Sequence, residues 1–132
     1  MRIASLSLVT TTIAAVALSL GCKSKPSAMD VCKRLASDGV AANCETAPPK
    51  GIGIGAREKA TFDLKSVKGK TGQVLAFDDD ANFEKTVQAF EAEKKLAGPH
   101  RYGSSTARIF VQLNAEATDD DGKKSKAIVD SL

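Results

Sequence analysis

Clustered cysteine and histidine ligands are missing from this 132-residue chain. It holds three cysteines and one histidine, with no Cys-x-x-Cys pair, so Cys and His cannot supply the roughly four ligands of a structural zinc site. A strong charge of one sign is missing too. The 19 basic residues face 16 acidic ones, for a net charge of +3, too mild a balance to imply a nucleic-acid partner. There is no internal repeat and no long low-complexity tract. Nor do the glycines form a phosphate cradle. Gly51-Ile52-Gly53-Ile54-Gly55 follows Pro48-Pro49, whereas a dinucleotide fingerprint needs G-x-G-x-x-G between a strand and a helix. Gly69-Lys70-Thr71 ends like a Walker loop, yet Leu64 stands where the first glycine belongs and a strand pattern follows. The first reads as a loop and the second as a turn.

What is present begins at the amino terminus. Arg2 supplies a positive start, Ile3 to Leu20 carries no charge, and Gly21-Cys22 closes the run, which is the layout of a secretory signal. Leu18-Ser19-Leu20-Gly21-Cys22 resembles the lipobox of bacterial lipoproteins, with Ser19 and Leu20 where that family most often has leucine and a small residue. The resemblance covers the first 22 residues. It implies cleavage before Cys22, lipid on the Cys22 sulfur, and attachment to a membrane of the cell envelope. Because Lys23 replaces the aspartate that marks inner-membrane retention in lipoproteins, it also favours the outer membrane. Two other readings of the run are a retained spanning helix, since about 20 apolar residues suffice, and a plain secretory cut leaving Cys22 free. Six serines and threonines dilute the first, and the odd cysteine count weighs against the second.

The organisation expected from this is a signal peptide over residues 1–21, a lipidated tether over 22–27 and one domain over 28–132. Removing 21 of the 132 residues leaves 111, with 18 basic side chains against 16 acidic. A tether of Lys23 to Ser27 reaches at most roughly 17 Å, so the domain should lie close to its membrane. Lys23 and Lys25 could favour anionic head groups at about 1 kcal/mol each.

Cys32 and Cys44 stand twelve positions apart. In an oxidising envelope pairing is the default, and the closed loop should contribute about 3 kcal/mol. Ser27 with Asp30 has capping-box spacing, which opens a helix carrying Cys32 and ending at Gly39.

Farther along, Glu45 to Gly55 reads as loop. Thr61 to Lys65 alternates as a strand, and Gln73 to Phe77 forms the next. Asp80 can cap a helix whose Phe83, Val87 and Phe90 share a face, stopped by Gly98-Pro99. Arg108 to Leu113 alternates as a strand, with Phe110 an apolar residue on its otherwise polar face. A short strand near Arg101 to Gly103 is a further option. Thr118 with Asp121 repeats the capping-box spacing before a last helix. The order α-β-β-α-β-α predicts a small two-layer α+β domain, with an antiparallel sheet of three or four strands packed against helices.

Two acidic clusters, Asp78-Asp79-Asp80 and Asp119-Asp120-Asp121, have an incomplete calcium-loop pattern. Each precedes or begins a helix, where carboxylates satisfy free backbone amides. His100-Arg101-Tyr102 holds the sole histidine and tyrosine and is the expected contact loop, because loops usually carry function. No catalytic residue, metal site or cofactor is expected. The predicted role is a non-catalytic binding, adaptor or assembly domain, held to the membrane through Cys22 and meeting an envelope protein. The alternatives are a small envelope hydrolase centred on His100 with Ser104 or Asp78 to Asp80, and an ion-binding module using the acidic clusters.

Overall fold

The computed structural model describes residues 25–132. Cys22 and the signal-like run therefore lie outside the described residues. Helix α1 spans Ala28–Ser37, and Ser27 caps it: its hydroxyl accepts from the Asp30 amide while the Asp30 carboxylate accepts from the Ser27 amide. These bonds hold the Asp30 carboxyl below its ordinary pKa. The helix stops at Gly39, whose φ of 82° lies where a side chain is strained. There the Val40 amide reaches back to the Leu35 carbonyl, closing the end in a Schellman motif.

Five strands follow: β1 (Ala41–Ala47), β2 (Glu58–Leu64), β3 (Thr71–Ala76), β4 (Arg101–Ser104) and β5 (Ile109–Leu113). Every pairing is antiparallel, in the order β1-β2-β3-β5-β4. The remaining helices are α2 (Asp80–Ala92), the short α3 (Lys94–Ala97) and α4 (Asp119–Asp130). The fold is α+β with an antiparallel sheet packed against helices, as the periodicity predicts. The element order is longer than expected by β1, β4 and α3.

Helices cover both faces of the sheet, making three layers rather than the two expected, because Leu75 and Phe110 give the second face an apolar patch to bury. On one face, α1 and α4 lie over Phe62, Leu64, Val74, Ile109, Val111 and Leu113, with Val31, Leu35, Ile128 and Val129 supplied by the helices. On the other, α2 packs Phe83 and Phe90 against Leu75, Phe77 and Phe110. Phe110, the apolar residue out of place on β5, stacks on Phe90 with ring centroids 4.7 Å apart. Its position in the alternation therefore marks a second, smaller core.

Strand β1 was hidden in what reads as loop, because it carries one β-branched residue, Thr46, and a bulge. Ala41 and Ala42 pair with Leu64 and Asp63, but Glu45 pairs with Thr61, so β1 holds one extra residue. Asn43 absorbs it at φ 54°, a conformation asparagine tolerates better than most residues. Without the extra residue, Ala41 and Cys44, three apart, would face opposite sides of the sheet. The bulge puts Cys44 on the α1 side, where it is bonded to Cys32 with Cα atoms 6.1 Å apart.

The helix caps shift slightly from expectation. Asp79, rather than Asp80, caps α2 by accepting from the Asn82 amide at 2.7 Å. That bond and its side-chain companion lower the Asp79 pKa. Thr118 caps α4 in the capping box foreseen for it. Among the described residues, no helix is long and apolar enough to cross a membrane.

Candidate functional site

His100, Arg101 and Tyr102 do not form an open loop. Arg101 and Tyr102 begin edge strand β4, and His100 immediately before it is buried at 8% exposure. The His100 Nε2 lies 2.9 Å from the Ala117 carbonyl. A carbonyl only accepts, so Nε2 carries the hydrogen in this contact. The Nδ1 faces the Tyr102 hydroxyl at 3.2 Å. Burial, and then the nearby Asp119 charge, raise the Tyr102 pKa, which keeps that phenol protonated. Arg101 is equally committed: Nε donates to the Gly98 carbonyl at 2.7 Å, and one terminal nitrogen meets the Phe90 carbonyl and the Glu91 carboxylate. All three side chains fasten the β4 edge to its surroundings.

Neither partner proposed for a His100-centred reaction comes near it. Ser104 sits at the far end of β4, paired with Ile109, and its hydroxyl accepts from the Ala107 amide. Asp78 and Asp80 belong to that same far end, bound to Arg57 and Arg108. The His100 carbonyl instead meets Leu113, at the opposite end of β5.

Gly122 of α4 is packed against this pair. A methyl group there would stand 2.6 Å from the Tyr102 hydroxyl and 2.7 Å from His100 Nδ1. At an open helical position Gly→Ala stabilises by about 1 kcal/mol. Here Gly122→Ala should instead destabilise by about 1–3 kcal/mol through overpacking. Chemical denaturation checks the sign, and a stabilised variant would mean that His100 and Tyr102 do not pack beneath α4.

The acidic clusters are likewise engaged. Asp79 caps α2, Asp121 is in the α4 capping box and meets the Ser66 hydroxyl, and Asp120 pairs with Lys124. Among the described residues, no group of three or more His, Cys, Asp or Glu side chains is placed to hold a metal ion.

The surface left over was not foreseen. Helix α2 covers only the Leu75–Phe110 part of its face, so the flanking stretch of sheet stays open. It is a shallow depression of about 240 Å³ floored by Thr61, Thr71, Gln73 and Gln112, with Lys59 and Asn114 at its rim. Directly opposite on β3 and β5, Gln73 Nε2 donates to Gln112 Oε1 at 2.6 Å. The Gln112 amide then donates to the Ala97 carbonyl at 2.8 Å. A second, smaller hollow continues past Thr61 and Thr71 to Asn43, Glu45 and Asp63, where Asn43 donates to Asp63 at 2.9 Å. The side chains are neutral polar groups with one cation at one border and two carboxylates at the other. They are held on paired strands, so their spacing is set by the backbone. Such a surface can hydrogen-bond a polar partner. The signal for it in the sequence is the run of polar residues alternating with Phe62, Leu64 and Val74, which reads as an ordinary solvated strand face.

No protein-family model matches the chain, and no curated protein or solved structure compared with it does so either.

Proposed function

We propose that the chain is a lipid-anchored protein of the bacterial cell envelope, held through Cys22. Its folded part is a non-catalytic binding, adaptor or assembly domain that meets a polar protein partner. The open polar stretch of the sheet carries this reading: a rigid, solvent-facing set of donors and acceptors suited to docking. The bond between Cys32 and Cys44 supports an oxidising location, and the lipobox-like segment supplies the anchor. The outer membrane is the favoured destination, on the Lys23 argument.

Two measurements test the two halves separately. Mass spectrometry of the mature amino terminus from envelopes should show cleavage before Cys22 and the added acyl mass. An intact Met1 with an unmodified Cys22 would overturn the anchor. Photo-cross-linkers at Thr61 and Gln73, with Asp130 on the opposite side as control, should give one shared adduct from the first two positions in intact envelopes. Equal labelling from all three, or from none, would overturn the docking face.

A further inference from the structure

We propose that the Gly51–Gly55 loop is a second membrane contact, laying Ile54 and Ile52 on the phospholipid surface so that the domain stands on one end of its sheet. The proposal rests on the anchored reading above and specifies which part of the domain meets the bilayer.

Three large apolar side chains are exposed among the described residues: Ile52 at 39%, Ile54 at 76% and Leu96 at 85%. Isolated exposed apolar residues are ordinary, and Leu96, alone on α3, is one. The isoleucines differ in being a pair on one short loop whose other members are glycines. The loop is also held in shape. Gly53 and Ile54 donate to Lys50 and Gly51, Ala56 donates to Gly53, and the Thr86 hydroxyl of α2 reaches the Ile52 carbonyl. Gly53 itself rests on Leu75. The chain thus spends backbone hydrogen bonds and a buried glycine to hold Ile54 out in solvent.

Its place in the fold says what would cover it. The tether enters at α1, where the Ala28 amide donates to the Glu58 carboxylate at 3.0 Å. Glu58 follows Ile54 by four residues, a span of at most about 14 Å. Ala28 and Pro49 also border a common hollow with Arg57. Tether and loop therefore emerge at the same end of the sheet, where β2 starts and β3 ends. A chain fastened to lipid within six residues of Ala28 cannot carry that end far from the membrane. Leu96 lies at the other end of α2, a helix roughly 20 Å long.

Lys25 and Lys50 are exposed nearby, but Arg57 is bound to Asp78 and Glu58. Acyl chains on Cys22 would dominate the affinity, since anchoring scales with buried methylenes. The isoleucines would instead set orientation, leaving Gln112 and Asn114 at the membrane-distal end, open to a partner.

The chain contains no tryptophan, so Ile54→Trp and Leu96→Trp each provide a single fluorescent reporter. The full-length gene is expressed in a bacterial host, and the purified protein is mixed with phosphatidylethanolamine–phosphatidylglycerol vesicles carrying nitroxide-labelled acyl chains. The Cys22 mass is read on the same sample. Ile54→Trp should be quenched at least twofold more than Leu96→Trp, with Ile52→Trp intermediate. Acylated protein in which Ile54→Trp and Leu96→Trp are quenched alike would overturn the loop contact alone. Unacylated protein that still shows the contrast would support the loop and overturn the anchor. Unacylated protein that stays off the vesicles would overturn both.

Discussion

Replacing Cys32 and Cys44 together by alanine is expected to lower stability by about 3 kcal/mol, the chain-entropy value for a loop of this length. For a domain of about 100 residues this corresponds to a fall in melting temperature on the order of 10–20 °C. The bond joins α1 to β1, an edge strand paired on one side only. Losing it removes the restraint on the unfolded chain and the covalent tie of that strand to α1. Amide exchange should therefore accelerate first along Ala41–Ala47. The wild-type protein under reducing conditions should melt with the double variant. Identical melting of the wild type with and without reductant would show that the two sulfurs are not joined.

The second large effect is expected at Gly72. It lies opposite Phe62 across β2 and β3, and the buried Phe62 ring occupies the space above it. A Cβ at Gly72 would meet Phe62 Cζ and stand 2.5 Å from Cε2, with the Gln112 carbonyl at 3.0 Å on another side. The ring cannot swing away without disturbing the largest core. Gly72→Ala should thus cost about 2–3 kcal/mol, at the upper part of the range for overpacking. Phe62→Leu alone leaves a void and also destabilises. Combined, the smaller side chain makes room for the methyl group, and the double variant should be at least about 1 kcal/mol more stable than the sum of the single losses predicts. Strictly additive losses, measured by urea denaturation, would contradict the placement of the ring over the glycine.

Much of the fold was legible because its determinants are local. Ser27 with Asp30 and Thr118 with Asp121 mark helix starts through bonds spanning three residues. Gly39 marks a stop through its own backbone freedom. Phe83 and Phe90 on α2, and Ile109, Val111 and Leu113 on β5, repeat at the periods of their elements and are buried as those periods require. Strand β1 escaped notice for an equally physical reason. Ala41, Ala42 and Ala47 give little contrast between faces, and the bulge at Asn43 breaks the alternation that would reveal it. Rarity drew attention to His100, and the structure holds the only imidazole of the chain between a carbonyl and a phenol. Its partners, Tyr102 on β4 and Ala117 just before α4, are brought to it only by the fold.

Caps, turns and hydrophobic periods act over a few positions, so the chain specified its α+β class, the ends of its main helices and most of its core directly. The pairing of Cys32 with Cys44 was expected on chemical grounds. Its geometry waited on an extra residue in β1 that only the register with β2 discloses. The division into two cores, the polar stretch left uncovered beside α2, and the nearness of the Gly51–Gly55 loop to the base of α1 all arose from long-range strand pairing. These features depend on which distant segments exclude water from one another, and that selection is made only when the whole chain packs.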